Sequence, residues 1–326
     1  MQNSNKENII KLQEIISNRI TPLINNDFVL LDIPNHRNIG DSLIWKGELE
    51  YFKTLKYKCL RQFNRYTFKN NHIQSENTVI LLHGGGNFGD IYPSSQNFKK
   101  EIVSHFPDNR IIIMPQTIFY EEESKKIGDF ELFRKHKDLY ICVRDIKSYD
   151  LISDLFPKER ILLTPDMAFF IDLDKYITKN DVEKALFLNR TDAEKVDDKY
   201  LTLLEGQTFD TLDWPTYNSS NNKLNVLSNY IEALDGKLSK RLKYVPIINR
   251  FIDDAYGFKN RNNMELHIKA GIDFINEYSR VYTTRLHGMI LSVLLDKEIV
   301  ILDNSYGKNR GFYEAWLKGF QKLTLV

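Results

Sequence analysis

SRVYTTRLHGMILSVLLDKEIVILD, residues 279–303, decides the fold class. It opens on a strand-like segment, SRVYTTR, and closes on another, EIVILD (298–303). Between them Leu286, Met289, Ile290, Val293 and Leu294 keep the i, i+3, i+4, i+7, i+8 spacing of a buried helix face. Strand, helix and strand in succession form the repeating unit of a parallel α/β sheet. The same rhythm continues outward. KALFLNR (184–190) and QTFDTLDWPT (207–216) are predicted strands, and LNVLSNYIEAL (224–234) and MELHIKAGIDFINEY (264–278) predicted helices. GFYEAWLKGF (311–320) reads as a terminal helix.

The first half repeats the pattern. FVLLDIP (28–34), TVILLHGGG (78–86), RIIIMPQTI (110–118), LYICVRD (139–145) and RILLTPDMAFF (160–170) are apolar runs of strand length, with helical stretches such as DSLIWKGELEYFKTL and KSYDLISDLF among them. The polar segment IDLDKYITKNDVEK (171–184) reads as a linker. The expectation is an α/β protein of two Rossmann-like domains, 1–175 and 176–326, facing a cleft, with the last helix free to pack back on the first. Ligands of such sheets sit at the carboxyl ends of the strands, so the chemistry is sought there.

Composition narrows the function. The chain has 326 residues, 42% apolar and 27% charged, with 45 Lys plus Arg against 44 Asp plus Glu. That is too apolar for disorder and too balanced for a nucleic-acid coat. Two cysteines, Cys59 and Cys142, make neither a disulfide framework nor a cysteine zinc site. The histidines are scattered and no HExxH occurs, so no metal is expected. There is no signal-like apolar stretch at the start and no run near the roughly 20 apolar residues a bilayer span requires. The expected compartment is therefore the cytoplasm. The interleaved basic and apolar segment GKLSKRLKYVPIINRF (236–251) reads as a solvated loop or as a contact with an acidic membrane surface.

Five segments after strands carry polar chemistry. In NIGDSLIW (38–45), Gly40 allows a sharp turn, and Asp41 is either a helix cap or a cleft carboxylate. The letters GDSL also spell a serine-hydrolase signature. That reading needs an Asp three residues before its His, and Thr284 stands there before His287. In HGGGNFGDIYP (83–93), consecutive glycines let backbone N–H groups approach a ligand, with His83, Asn87 and Asp90 supplying side chains. The HGGG of lipases needs a GxSxG, which is absent. Arg144 ends an apolar strand and either pairs with Asp145 or Asp166 or faces the cleft. Arg285 and His287 stand at a helix N-terminus, where free N–H groups and positive potential favour an anion. Gly307, Lys308 and Arg310 follow the last strand as a cationic turn.

Taken in order, NxGD (38–41), GGGxxGD (84–90), RDxxS (144–148), PDMAF (165–169), TRLHG (284–288) and DNSYGK (303–308) resemble the polysaccharide pyruvyl transferase family. The resemblance covers nearly all of residues 30–310. It implies a two-domain fold like that of GT-B glycosyltransferases. It also implies transfer of pyruvate from phosphoenolpyruvate to a hydroxyl pair of a bacterial surface glycan precursor, lipid-linked or nucleotide-linked. Carried over, it makes Arg285, Leu286 and His287 the donor-binding stretch, with Arg144 and Lys308 as further donor ligands. His83, Gly85, Gly86, Asn87 and Asp90 would face the acceptor.

The chemistry suits these residue types. A small molecule bearing a carboxylate and a phosphate calls for guanidinium forks and helix N–H groups. Ketal formation needs an acid to protonate the vinylic carbon, for which His287 is the candidate, and a base for the attacking hydroxyl, for which Asp41 is the candidate. No cofactor beyond the co-substrate is expected. A nucleotide-sugar glycosyltransferase of the same shape and an inactive glycan-binding relative stay as alternatives.

Overall fold

The computed structural model describes residues 3–178, 184–189, 209–215, 246–303 and 307–326, with backbone alone for 246–259. The expected linker runs from 171 into residues outside that set. The expected helix 224–234 and residues 236–245 of the basic segment lie wholly outside it.

Helix α1 (Lys6–Ile20) buries Ile9, Leu12, Ile16 and Ile20, a stripe at helical spacing. Then follow β1 (Phe28–Leu31), α2 (Ile39–Phe52), β2 (Cys59–Phe63), β3 (Val79–Leu82), β4 (Gly85–Gly89), α3 (Pro93–His105), β5 (Ile111–Phe119), α4 (Glu123–Phe133), β6 (Leu139–Val143), α5 (Ile146–Ile152) and β7 (Ile161–Leu163). These strands make one parallel sheet of order β2-β1-β3-β5-β6-β7, with β4 on β5. The apolar runs are buried on both faces, as a sheet covered by helices on each side requires. Leu30, Leu81, Ile112 and Cys142 pack towards α1 and α2. Their neighbours Leu31, Leu82, Ile113 and Val143 pack towards α3, α4 and α5. The glycine segment, expected as a loop, is instead a short strand, with Gly85 opposite Gln116 and Phe88 opposite Ile118.

The remaining elements are β8 (Ala185–Leu188), β9 (Phe209–Leu212), α6 (Pro246–Asn276), β10 (Arg280–Thr283), α7 (Leu286–Leu294), β11 (Glu298–Ile301), α8 (Lys308–Trp316) and β12 (Leu323–Leu325). They build a second parallel sheet of order β12-β11-β10-β8-β9. Helix α6 begins well before the expected 264, and the tail ends in an edge strand beyond its helix. The fold is therefore α/β with parallel, Rossmann-like sheets.

One apolar cluster runs without a break from α1 and α2 through Met167, Ala168 and Phe169 to α7 and the second sheet. Both chain ends cross between the sheets. Asn3 donates from Nδ2 to the carbonyls of Val293 (2.8 Å) and Leu294 (3.1 Å). Trp316 donates from Nε1 to the Arg144 carbonyl at 2.8 Å. No helix among the described residues is long and apolar enough to cross a membrane.

Candidate active site

The strand ends converge on one cavity of about 590 Å³, a size typical of small-ligand sites. Asp32 follows β1, His83 follows β3 and Arg144 follows β6. From the second sheet come Trp214 after β9 and Arg285, Leu286 and His287 after β10, with Lys308 at the start of α8. The cavity thus lies at the carboxyl ends of both parallel sheets, where strand geometry leaves backbone and side chains open to a ligand.

Arg144 is 1% exposed, and two partners fix its guanidinium. Its Nε donates to Thr117 Oγ1 at 2.9 Å and its Nη1 to Asp166 Oδ2 at 2.6 Å. The same Nη1 lies 3.5 Å from His287 Nε2. Of the partners weighed from sequence, Asp166 pairs with it. Asp145 instead caps α5 by accepting from Ser148 N at 2.8 Å. Pairing and facing the cleft prove compatible, because a guanidinium carries five donors and the carboxylate engages one side of it. A Cβ on Gly86 would stand 3.4 Å from Arg144 Nη2 and 3.3 Å from Lys308 Nζ, so the glycine keeps both cations close to the cavity.

Arg285 precedes α7 with extended backbone and does not cap it. Its guanidinium forks onto Asp213, Nε to Oδ1 and Nη2 to Oδ2, both at 2.6 Å. His287 lies 3.4 Å from Asp166 Oδ2 through Nε2. Burial pushes its imidazole below the ordinary 6.5, and the Asp166 carboxylate only partly opposes that. For Asp166 burial works upward, but the Arg144 charge and the His287 bond outweigh it and hold the carboxyl well below the usual carboxylate range.

Helix α2 supplies the next groups. Its cap is Asn38, whose Oδ1 accepts from Asp41 N at 3.3 Å, so the cap position expected for Asp41 is taken by another residue. The Asp41 carboxylate instead accepts from His36 Nε2 at 2.7 Å. Burial would raise Asp41, but the His36 bond and charge hold it at about 2. Gly40 sits inside the helix rather than in a turn, and a Cβ there would strike the His287 ring, with Cγ at 2.8 Å. The glycine of the NxGD motif therefore lets the imidazole of the second sheet close on α2. Ser42 is 2% exposed, donates to Asn38 O at 2.8 Å and does not line the cavity, which leaves the hydrolase alternative without an accessible nucleophile.

His83, Gly86 and Asn87 line the cavity; Gly85 lies beside it, with its Cβ position 3.6 Å from Asp41 Oδ1. Asp90 is not brought there. Its carboxylate accepts from the backbone N–H groups of Glu121 and Glu122, both at 2.9 Å. Sequence reasoning missed Asp32, His36, Glu48, Arg65, Thr117 and Asp213. His36 follows a predicted strand, and Asp32 and Asp213 lie near the ends of two others, so their placement was a usable signal. Nothing in the sequence marks Glu48, on the inner face of α2. Among the described residues no group of three or more His, Cys, Asp or Glu is placed to hold a metal ion.

The family profile described as polysaccharide pyruvyl transferase matches residues 38–306. A Bacillus subtilis protein that carries the name pyruvyl transferase EpsO is 30% identical over 322 residues, 98% of this chain and 95% of that protein. Pyruvyl transferase 1 of Schizosaccharomyces pombe is 27% identical over 302 residues, 89% of this chain and 69% of that protein. Among solved structures, an uncharacterised protein of Klebsiella pneumoniae superposes with a TM-score of 0.59 at 23% identity. The match covers 100% of this chain and 99% of that one, a likeness of fold.

Proposed function

Because the chain belongs to the polysaccharide pyruvyl transferase family, we propose that it transfers pyruvate from phosphoenolpyruvate to two hydroxyls of a sugar in a surface or exopolysaccharide precursor, releasing phosphate. The reading includes two domains meeting at the cavity in a GT-B-like arrangement, the first carrying the acceptor side. The observation that carries it is the convergence of Arg144, Arg285, His287 and Lys308 on one cavity from both sheets. Such a set suits a small molecule with an anion at each end.

The atoms balance as follows. A proton is added to the methylene carbon of phosphoenolpyruvate, which becomes a methyl group, and positive charge develops on the next carbon. One sugar hydroxyl bonds to that carbon. The carbon–oxygen bond to phosphate breaks, and the second hydroxyl closes the ring. The two hydroxyl protons end on the methyl group and on the departing phosphate. Arg144 and Arg285 hold the anionic groups. His287, 3.5 Å from Arg144, is the acid in this reading. Burial pushes its imidazole below 6.5. A bound polyanion favours the charged ring and so loads the proton when the substrate arrives. Asp41, held at about 2 by His36, is a weak proton acceptor and acts better as an anchor for that histidine or for a sugar hydroxyl.

The test incubates the full chain with phosphoenolpyruvate and a panel of free and lipid-linked sugars. Phosphate release and the mass gain of a pyruvate ketal are expected. His287→Gln should keep the fold and lose turnover by roughly 10²–10⁴-fold. Turnover with a nucleotide sugar and none with phosphoenolpyruvate would replace the reading with the glycosyltransferase one.

A further inference from the structure

Behind the acceptor side of the cavity lies a carboxylate–imidazole pair. Glu48 on α2 is fully buried and His83 is 2% exposed. His83 donates from Nδ1 to Glu48 Oε2 at 2.7 Å. The other carboxylate oxygen, Oε1, accepts from Gly84 N at 3.0 Å, so the carboxylate cannot rotate away. The backbone of His83 is pinned as well, its carbonyl accepting from Gln116 Nε2 at 2.7 Å. The remaining ring nitrogen, Nε2, is buried without a hydrogen-bond partner, while the ring lines the cavity.

A buried polar atom without a partner is costly, and in a rigidly held ring beside a cavity it calls for one. Pairing Nδ1–H with a carboxylate fixes the tautomer that leaves Nε2 as the acceptor. It also steadies the imidazolium that would form once a proton arrives. We propose that His83, oriented by Glu48, is a catalytic base that takes the proton of an attacking sugar hydroxyl at Nε2. The proposal rests on the pyruvyl-transfer reading. It divides the proton work between two imidazoles brought by the two sheets, His287 for the donor and His83 for the acceptor. The hydroxyl O–H bond breaks as its oxygen bonds to the donor carbon. The proton rests on Nε2 and leaves with the phosphate or returns to solvent. Glu48 is a positioning residue, since it reaches the substrate only through the ring.

The charged groups facing His83 fit this role. Glu48 and Asp41 come from α2 and Asp32 from the end of β1, while Arg144 and Lys308 line the same cavity beside Gly86. Burial works against the imidazolium, but the Glu48 charge and bond, with Asp41 and Asp32 behind them, raise the ring above its ordinary 6.5.

The experiment uses the full chain labelled with ¹⁵N-histidine. Ring resonances are followed against pH without ligand, then with phosphoenolpyruvate as the added probe. His83 is expected as the Nδ1–H tautomer with a midpoint above 6.5, and Glu48→Gln should lower that midpoint by about one unit, a tenfold change in proton affinity. His83→Asn should keep phosphoenolpyruvate affinity and lose phosphate release with the sugar panel by about a hundredfold. The lower limb of the pH–rate profile in Glu48→Gln should move with the ring. A midpoint indifferent to Glu48→Gln overturns the proposal, as does turnover of His83→Asn near that of the wild type. If phosphoenolpyruvate moves no resonance and the sugar panel yields no ketal with the wild type, the donor reading fails instead, while the titration still judges the pair.

Discussion

Two arginines face the same cavity from opposite walls and are held in opposite ways. The Arg144 side chain is 1% exposed, like that of its partner Asp166, and its head is fixed by Asp166 and Thr117. The Arg285 side chain is 13% exposed and forks onto Asp213, whose own side chain is 18% exposed. The first pair is part of the fold, because a buried charge without its partner is intolerable. The second is more open and its arginine borders the cavity, so a ligand carboxylate can reach the guanidinium and compete with Asp213 for it. One wall thus presents a rigid, prepaid cation and the other a cation that must change partners. The lesson is that an arginine's contacts in an empty site do not disqualify it as a ligand; burial decides which contacts can be given up.

The comparison breaks most visibly at Arg144. Arg144→Ala strands Asp166 and should cost about 3–5 kcal/mol of stability, read by denaturant unfolding, along with donor binding. A loss under 1 kcal/mol would mean the wall is not rigid. Gly40→Ala comes next. The new Cβ displaces the His287 ring, and about a hundredfold loss in kcat is expected, since a shift near 1 Å at a reacting group costs that much. Melting measured in parallel separates this from general damage. Asp213→Asn should cost less stability than Arg144→Ala, because the Asp213 pair is the more exposed of the two. The same substitution removes a carboxylate that competes for the fork and should tighten phosphoenolpyruvate by roughly tenfold, about 1.4 kcal/mol, in calorimetry. Weaker binding would make Asp213 a support of the fork rather than a competitor for it.

The smallest effect is protonic. His287 lies below its ordinary 6.5, first because of burial, and a bound polyanion would raise it. Binding then takes up a proton. The affinity gained is present at low pH and is lost as pH rises through the bound-state value. Calorimetry in buffers of different ionisation enthalpy should show fractional proton uptake near pH 6.5 in the wild type and less in His287→Gln. Proton release would reverse the sign and the reasoning.

Much of this was legible in the residues. Most of the central parallel strands announced themselves as apolar runs, whereas the edge strands β2 and β12 did not, and chemistry placed after the runs found Arg144, Arg285, His287 and His83 at the cavity. What stayed hidden depends on packing across the chain. Gly40 read as a turn because its reason, the His287 ring, lies 247 residues away in sequence (287 less 40). Glu48 drew no notice in the sequence, since only the fold shows that it faces His83. Asp90 misled because a glycine precedes it as in a ligand loop, whereas its carboxylate is spent on the backbone of residues 121 and 122. Strand β4 was masked by glycines that lower strand propensity but admit close pairing with β5.

The most direct test of the central claim is a crystal structure of the chain soaked with phosphoenolpyruvate. The account expects one molecule bridging the walls, one anionic end on Arg144 and the other on Arg285, with Asp213 displaced from its fork and His287 within hydrogen-bond reach. A donor bound to one wall alone, with Arg285 still forked onto Asp213, would contradict it.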